Sequence, residues 1–243
     1  MGQETTEALV LRGVDFSETS RIMTLLTPAR GKVACMAKGV RKANSPLAAV
    51  LDTMNRVEVV LFLKEGRDIQ TLGEASLLDR FPGVRADIER SAWAAFPLEV
   101  AGKVAHENEP SEALYAALRR GLEQWATFEG TARAHACWLV ARVLHVAGFA
   151  PELDVCSHCG APLRGAVGFA CDSGTVCTAC RADRRVSAAG LDALRALFSS
   201  ELRCPPVTAG PEVFQVLRAY AARQVDADFR SARVLQEMFG QVD

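Results

Sequence analysis

The chain has no long apolar run, no excess of charge of either sign and few aromatic side chains, and each shortage excludes something. No stretch approaches the roughly 18 apolar residues that cross a bilayer. The start, MGQETTEALV, has neither a basic region nor the apolar core of an export signal. The expected location is therefore the cytoplasm, with no membrane contact. Its 28 basic and 29 acidic residues leave a formal charge of −1, so any affinity for a polyanion must come from local patterning. Aromatics make up 7% of the chain, and the first 81 residues hold only Phe16, Phe62 and Phe81, with no Trp or Tyr. Phosphate-loop, His-Glu-x-x-His, nucleophile-elbow and dinucleotide signatures are also missing. The expectation is a protein that is not an enzyme.

What remains is an ordinary globular composition, 49% hydrophobic and 23% charged in 243 residues. Short runs at Ala8 to Leu11, Arg21 to Leu26, Lys32 to Ala37, Val57 to Leu63 and Ile69 to Leu72 read as strands. Gly13, Pro28, Gly31, Gly39 and Gly66 punctuate them. Between the third and fourth runs Ser45 is placed to cap a short helix opening at Pro46. Five strands with a helix between the third and fourth predict an oligonucleotide/oligosaccharide-binding (OB) barrel. From Phe81 onward the apolar spacing becomes helical: Ile88 to Glu99, a helix capped by Ser111, and Ala132 to Ala147. Ala188 to Phe198, Pro211 to Gln224 and Ser231 to Phe239 follow. The fold class is α+β multidomain, an N-terminal five-stranded OB-type barrel followed by a helical domain with an inserted four-cysteine zinc finger. The expected boundaries are 1–80 for the barrel, 81–153 and 187–243 for the two parts of the helical domain, and 154–186 for the finger. In the last helices Arg218, Arg223, Arg230 and Arg233 alternate with Asp226, Asp228 and Glu237, which predicts a salt-bridged, solvated surface.

Five of the eight cysteines fall between residues 156 and 180. Cys156 and Cys159, then seventeen residues, then Cys177 and Cys180 is a zinc-ribbon spacing. Two such turns converge four thiolates on one structural Zn²⁺ and leave no open position for substrate. The same residues allow a redox pair or two disulfides, and the reducing compartment favours metal. Cys171 and His158 lie close enough in sequence to compete as ligands, although the paired spacing is complete without them. Cys35, Cys137 and Cys204 read as buried small apolar groups.

The second feature is RGKVACMAKGVRKANSPLAAV, residues 30 to 50, with Arg30, Lys32, Lys38, Arg41 and Lys42 and no acid. Five contacts to a single strand would give a log–log salt slope of about −3.5. The competing reading is a solvated edge whose charges serve solubility. A barrel so poor in aromatics is expected to hold phosphates and leave base faces largely free.

Three segments, ALVLRGVDFSETSRIMTLLTPARGKV, AKGVRKANSPL and LHVAGFAPELDVCSHCG, occur in the order and spacing seen in the bacterial DNA repair protein RecO family, which the chain resembles. The resemblance implies a non-enzymatic recombination mediator, nucleoid-associated in the cytoplasm, that binds single- and double-stranded DNA and anneals complementary strands. It implies two protein partners. RecR would join the chain in helping to load RecA, and the C-terminal tail of single-stranded-DNA-binding protein (SSB) would dock on the helical domain. Carried onto this sequence, it makes Lys38, Arg41 and Lys42 phosphate contacts and Cys156, Cys159, Cys177 and Cys180 the zinc ligands. Arg12, Arg30 and Lys32 extend the DNA-binding set by barrel geometry, and Cys171 is extra to the family's four cysteines. The reading from a different class is a zinc-containing interaction scaffold whose basic stretch recognises acidic peptides.

Overall fold

The computed structural model describes residues 2–163 and 165–239 of the chain, which divide into two compact units. The first comprises residues up to 86 together with 105–126, and the second comprises 87–104 with 127 onward.

The barrel strands are β1 (Gly2–Asp15), β2 (Arg21–Thr27), β3 (Gly31–Ala37), β4 (Arg56–Leu63) and β5 (Ile69–Asp79), with helix α1 (Pro46–Val50) between β3 and β4. They close in the order β1-β2-β3-β5-β4, with every pair antiparallel except β3 with β5. Alternate residues point inward, as the two-residue period of a strand requires. Val33, Cys35 and Ala37 from β3 and Val57, Val59 and Leu61 from β4 form the core with Ala8, Met23, Leu25 and Leu72. Leu47 and Val50 of α1 pack against it. Burial pushes the Cys35 thiol up to about 12, in keeping with an inert core residue.

Closure depends on β1, whose residues Gly2 to Leu9 pair with β4 while Leu9 to Asp15 pair with β2. The change of partner is marked by a register shift between Val10 and Arg12. At that point Val10 N donates to Asn55 O and Val10 O accepts from Met54 N, so both backbone groups of Val10 are satisfied at the irregularity. Asn55 is 1% exposed. Its amide donates to the carbonyls of Ala49 and Val50, and its Oδ1 accepts from Arg85, so the side chain ties α1 to Arg85 while the backbone carbonyl holds the corner of β1.

The remaining elements are α2 (Pro82–Arg85), α3 (Ile88–Val104), α4 (Glu112–Gln124) and α5 (Ala132–Val146), then β6 (Val167–Ala170), β7 (Gly174–Val176) and β8 (Arg184–Val186), and finally α6 (Ala188–Ser199), α7 (Pro211–Val225) and α8 (Arg230–Phe239). α4 belongs to the barrel unit. Its Tyr115 hydroxyl donates to Glu7 at 2.9 Å, and Glu7 also receives a forked contact from Arg56 on β4 at 2.9–3.2 Å.

In the second unit α5 is buried almost throughout, and α3, α6 and α7 surround it. Phe214 of α7 packs edge-on to Trp93 and Phe96 of α3 with centroids 4.9 and 5.3 Å apart, and Phe96 packs on Phe229. Carboxylates from neighbouring helices complete two helix starts: Glu212 bonds Ser187 N and Oγ at α6, and Glu99 bonds the amides of Arg230 and Ser231 at α8. None of the described helices is long and apolar enough to cross a membrane.

Several expectations need correction. Ser45 and Ser111 occupy N-cap positions without a side-chain cap bond, whereas Thr131 and Ser187 do cap. β1 and β5 run well beyond the predicted Ala8 to Leu11 and Ile69 to Leu72. β5 continues through Gly73 because the Phe62 ring lies where a Cβ would stand, and the strand register shifts there. The last helices carry no salt-bridge lattice: among the described residues, Arg218, Arg223, Arg230 and Arg233 form no ion pair with Asp226, Asp228 or Glu237.

The Arg56 guanidinium, with help from Tyr115, holds the Glu7 carboxyl below its ordinary 4.5. A carboxyl lowered by folding stabilises the native state above its unfolded value, and that contribution fades as pH falls through the lowered folded value. Glu7→Gln is therefore expected to flatten the acid side of the stability profile below pH 4.5 and to leave the slope near neutrality unchanged. Urea unfolding measured across that range checks it.

Candidate nucleic-acid interface and metal centre

The six basic residues singled out from sequence do not form one surface. Lys38, Arg41 and Lys42 are exposed in the loop that leaves β3. Antiparallel register sets Ala37, just before that loop, opposite Arg21, the first residue of β2, so the loop lies beside the β1–β2 turn. Arg41 N donates to Thr19 O at 3.1 Å, and its guanidinium donates to Ser17 O at 2.6 Å. Arg30 and Lys32 lie at the opposite end of the β2–β3 hairpin, where Thr27 pairs with Gly31 and Leu26 with Lys32. There Arg30 bonds Glu4 at 2.7 Å, and the Lys32 backbone bonds His106. Arg12 is exposed midway, opposite Thr24.

Sequence reasoning missed Arg21, which belongs to the Lys38 end. Its Nε bonds Asp15 at 2.6 Å, and Asp15 also meets Arg41 at 3.3 Å. The Arg21 guanidinium, and then Arg41, keep the Asp15 carboxyl below its ordinary value, so it is ionised at neutral pH and offsets part of their charge. Among the described residues Lys38 and Lys42 form no ion pair, which leaves both ammonium groups available to an incoming anion. Counting register from Ala37 back across the hairpin was the signal that could have found Arg21.

The cysteine constellation converges. The ligand atoms of Cys156, Cys159, Cys177 and Cys180 lie within 4.8 Å of one another, and Cys159 Sγ is 3.8 Å from Cys177 Sγ. Four sulfurs about 2.3 Å from a tetrahedral Zn²⁺ stand about 3.8 Å apart, whereas a disulfide brings them to about 2.05 Å. All eight cysteines are free. The donor set and spacing fit a zinc-type ion.

The local chain explains the convergence. In the first knuckle Gly160 N donates to Cys156 O, and Cys156 N donates to Ala161 O, both at 2.8 Å. The second knuckle follows β7 directly, with Cys180 N donating to Cys177 O at 3.1 Å. The backbone N–H of Cys177, followed by those of Cys159 and His158, lowers the Cys156 thiol to about 6. Contact with the Cys177 thiol, then burial and the other two sulfurs, pushes Cys180 up to about 12. Four thiolates this close repel one another, and a dication removes that conflict.

Cys171 and His158 are outside the four-sulfur group. Both line an open cleft of about 750 Å³ with Asp183, Arg181 and Arg223. Cys171 N donates to Asp183, and Cys171 O accepts from Gln224 of α7.

An OB-type barrel with a basic loop beside its first turn, joined to a helical unit that holds a four-cysteine finger, defines a two-unit α+β protein of the OB-barrel class. Residues 1–81 match the profile described as Recombination protein O N terminal, and residues 85–233 match Recombination protein O C terminal. The chain belongs to the RecO family. It is similar to the DNA repair protein RecO of Moorella thermoacetica, 29% identical across 96% of this chain and 91% of that one. It is likewise similar to the DNA repair protein RecO of Anaeromyxobacter dehalogenans, at 30% across 98% of both, and of a Roseiflexus species, at 31% across 96% and 85%.

The finger's register against the chain that enters it rests on Gly174. Its φ is +122°, and a Cβ there would collide with the Glu152 backbone. Glu152 pairs with this strand through Thr175 N at 2.8 Å and Ser173 O at 3.1 Å. Gly174→Ala is expected to lose about 1–3 kcal/mol and to loosen the second knuckle, read as faster reaction of the cysteine thiols with a thiol reagent.

Proposed function

We propose that this chain is a recombination mediator that binds single- and double-stranded DNA and anneals complementary strands. In this reading it acts without catalysis, in the nucleoid, and with RecR it assists loading of RecA onto DNA coated with SSB, whose C-terminal tail docks on the helical domain. The observation that carries the DNA reading is the pair of exposed, unpaired lysines, Lys38 and Lys42, flanking Arg41 at one end of the barrel. Family membership and the relatives' name, DNA repair protein, support it.

The sugar-phosphate backbone offers one charge per nucleotide, and ammonium groups bind it by releasing condensed counterions. Neutralising part of that charge lowers the repulsion between two strands, and a barrel segment with only three aromatic rings leaves most bases able to pair. Arg41 is positioned by Ser17, Thr19 and Asp15, so it presents a fixed fork, while the two lysines act as mobile point charges. Arg30 and Lys32, at the far end of the hairpin, form a separate and weaker contact, since Arg30 is paired with Glu4. Arg12 bridges the distance between the ends.

Cys156, Cys159, Cys177 and Cys180 hold one structural Zn²⁺ in this reading. The ion supplies the charge that lets four thiolates coexist. It organises residues 154–186, whose three short strands have little core of their own.

Lys38→Glu/Arg41→Glu/Lys42→Glu is expected to fold normally, to anneal SSB-coated complementary oligonucleotides far more slowly than wild type, and to shallow the log–log salt slope of single-strand binding by about 2. A folded wild-type chain that neither binds nor anneals DNA would remove the reading. Metal analysis is expected to give one zinc per chain, lost in Cys177→Ser and retained in Cys171→Ser. Stripping the zinc should raise thiol reactivity in the finger while leaving the barrel's far-ultraviolet signature in place.

A further inference from the structure

Three aromatic rings lie in the barrel segment, and the structure gives each a different situation. Phe81 is 2% exposed and is spent on packing. Phe62 is 37% exposed, and its ring covers Gly73 on the neighbouring strand, filling the space a side chain would have taken. Phe16 is 61% exposed and does neither. It opens the turn between β1 and β2, where Phe16 N and Ser17 N both donate to Ser20 O.

That turn is joined to the basic loop by the two bonds Arg41 makes to Ser17 O and Thr19 O. Phe16 is thereby held one residue from the Arg41 contact, on the turn to which the loop carrying Lys38 and Lys42 is bonded. Asp15 is engaged by Arg21 and Arg41, and Glu18 is the remaining acid in the turn. An exposed flat ring on a pinned turn, beside free ammonium groups, matches a ligand with an aromatic face and anionic links on either side. Every nucleobase offers a face for stacking, and only an unpaired base exposes it.

We infer that Phe16 is a single-base stacking platform: one unpaired base of a bound strand lies on its ring while Lys38 and Lys42 hold the adjacent phosphates. The inference rests on the DNA-binding reading above. It assigns to this end of the barrel a preference for single strands over duplex, and it immobilises one base while the rest remain available for pairing.

The test compares a labelled oligothymidine, an abasic strand of the same length and a duplex, each titrated by fluorescence anisotropy with wild type, Phe16→Ala and Phe16→Trp. Phe16→Ala is expected to weaken oligothymidine about five- to a hundredfold, with the abasic strand and the duplex held within about twofold. Phe16→Trp is expected to retain affinity. The native Trp93, Trp125 and Trp138 are all buried, so red-shifted emission reports on position 16 alone, and oligothymidine should quench it where the abasic strand does not. Equal losses on both single strands, no loss on either, or emission that ignores oligothymidine would each overturn stacking while leaving phosphate binding intact. Failure of wild type to bind any of the three would overturn the DNA reading and this inference with it.

Discussion

The barrel unit depends on one strand serving two neighbours. β1 must pair with β4 over its first half and with β2 over its second, and a strand can change partner only by turning a corner. The corner at Val10 is affordable because residues 54 and 55 take up its amide and carbonyl. Asn55 then fixes that loop to α1 and Arg85. The path of β1 beyond the corner determines where its turn into β2 emerges, which is why Ser17 and Thr19 come to lie against the loop after β3. The first half of β1 carries Glu7, whose bonds to Arg56 and Tyr115 hold α4 on the barrel unit. The exposed basic loop and the internal ion pair are thus positioned by the same strand.

Legibility in the sequence followed the range of the interaction. Two knuckles of four residues each are local structures, so the spacing of Cys156, Cys159, Cys177 and Cys180 was enough to foresee their meeting. The apolar alternation at Val33, Cys35 and Ala37 likewise marked a strand with one buried face. The first six residues of β1, Gly2 to Glu7, carry no large apolar side chain and are at least partly exposed, and their strand character comes from pairing with β4. The fifth run reads in sequence as ending at Leu72, because the Phe62 ring that covers Gly73 sits on another strand. The Tyr115 to Glu7 bond spans 108 residues and has no local signal.

The finger and the barrel use opposite strategies to become stable. The barrel buries the inward face of its strands in one apolar core. The finger has three strands of three or four residues, tied to the rest of its unit by the edge-on packing of Phe169 against Tyr220 of α7 and by a hydrogen bond from Gln224 of α7 to Cys171 O. In so small a module an ion held at the sulfur cluster would supplement that limited core, since its binding free energy becomes folding free energy. The metal reading therefore concerns the shape of residues 154–186. The proposed DNA contacts lie on the other unit and rest on separate side chains.

The charge run that drew attention in the sequence is continuous only on paper. Lys32 and Lys38 are six residues apart on an extended strand, about 20 Å at 3.3 Å per residue, and the Debye length at physiological salt is about 8 Å. Over that distance the two ends of the hairpin act as independent sites. The end with Arg30 is largely self-neutralised by Glu4, and the end with Lys38 retains two free ammonium groups. An anion approaching the barrel therefore meets its stronger field where the exposed ring also stands, and charge and aromatic surface act at one place. In the proposed DNA-binding role, a basic stretch divided in this way would grip a strand chiefly at one point.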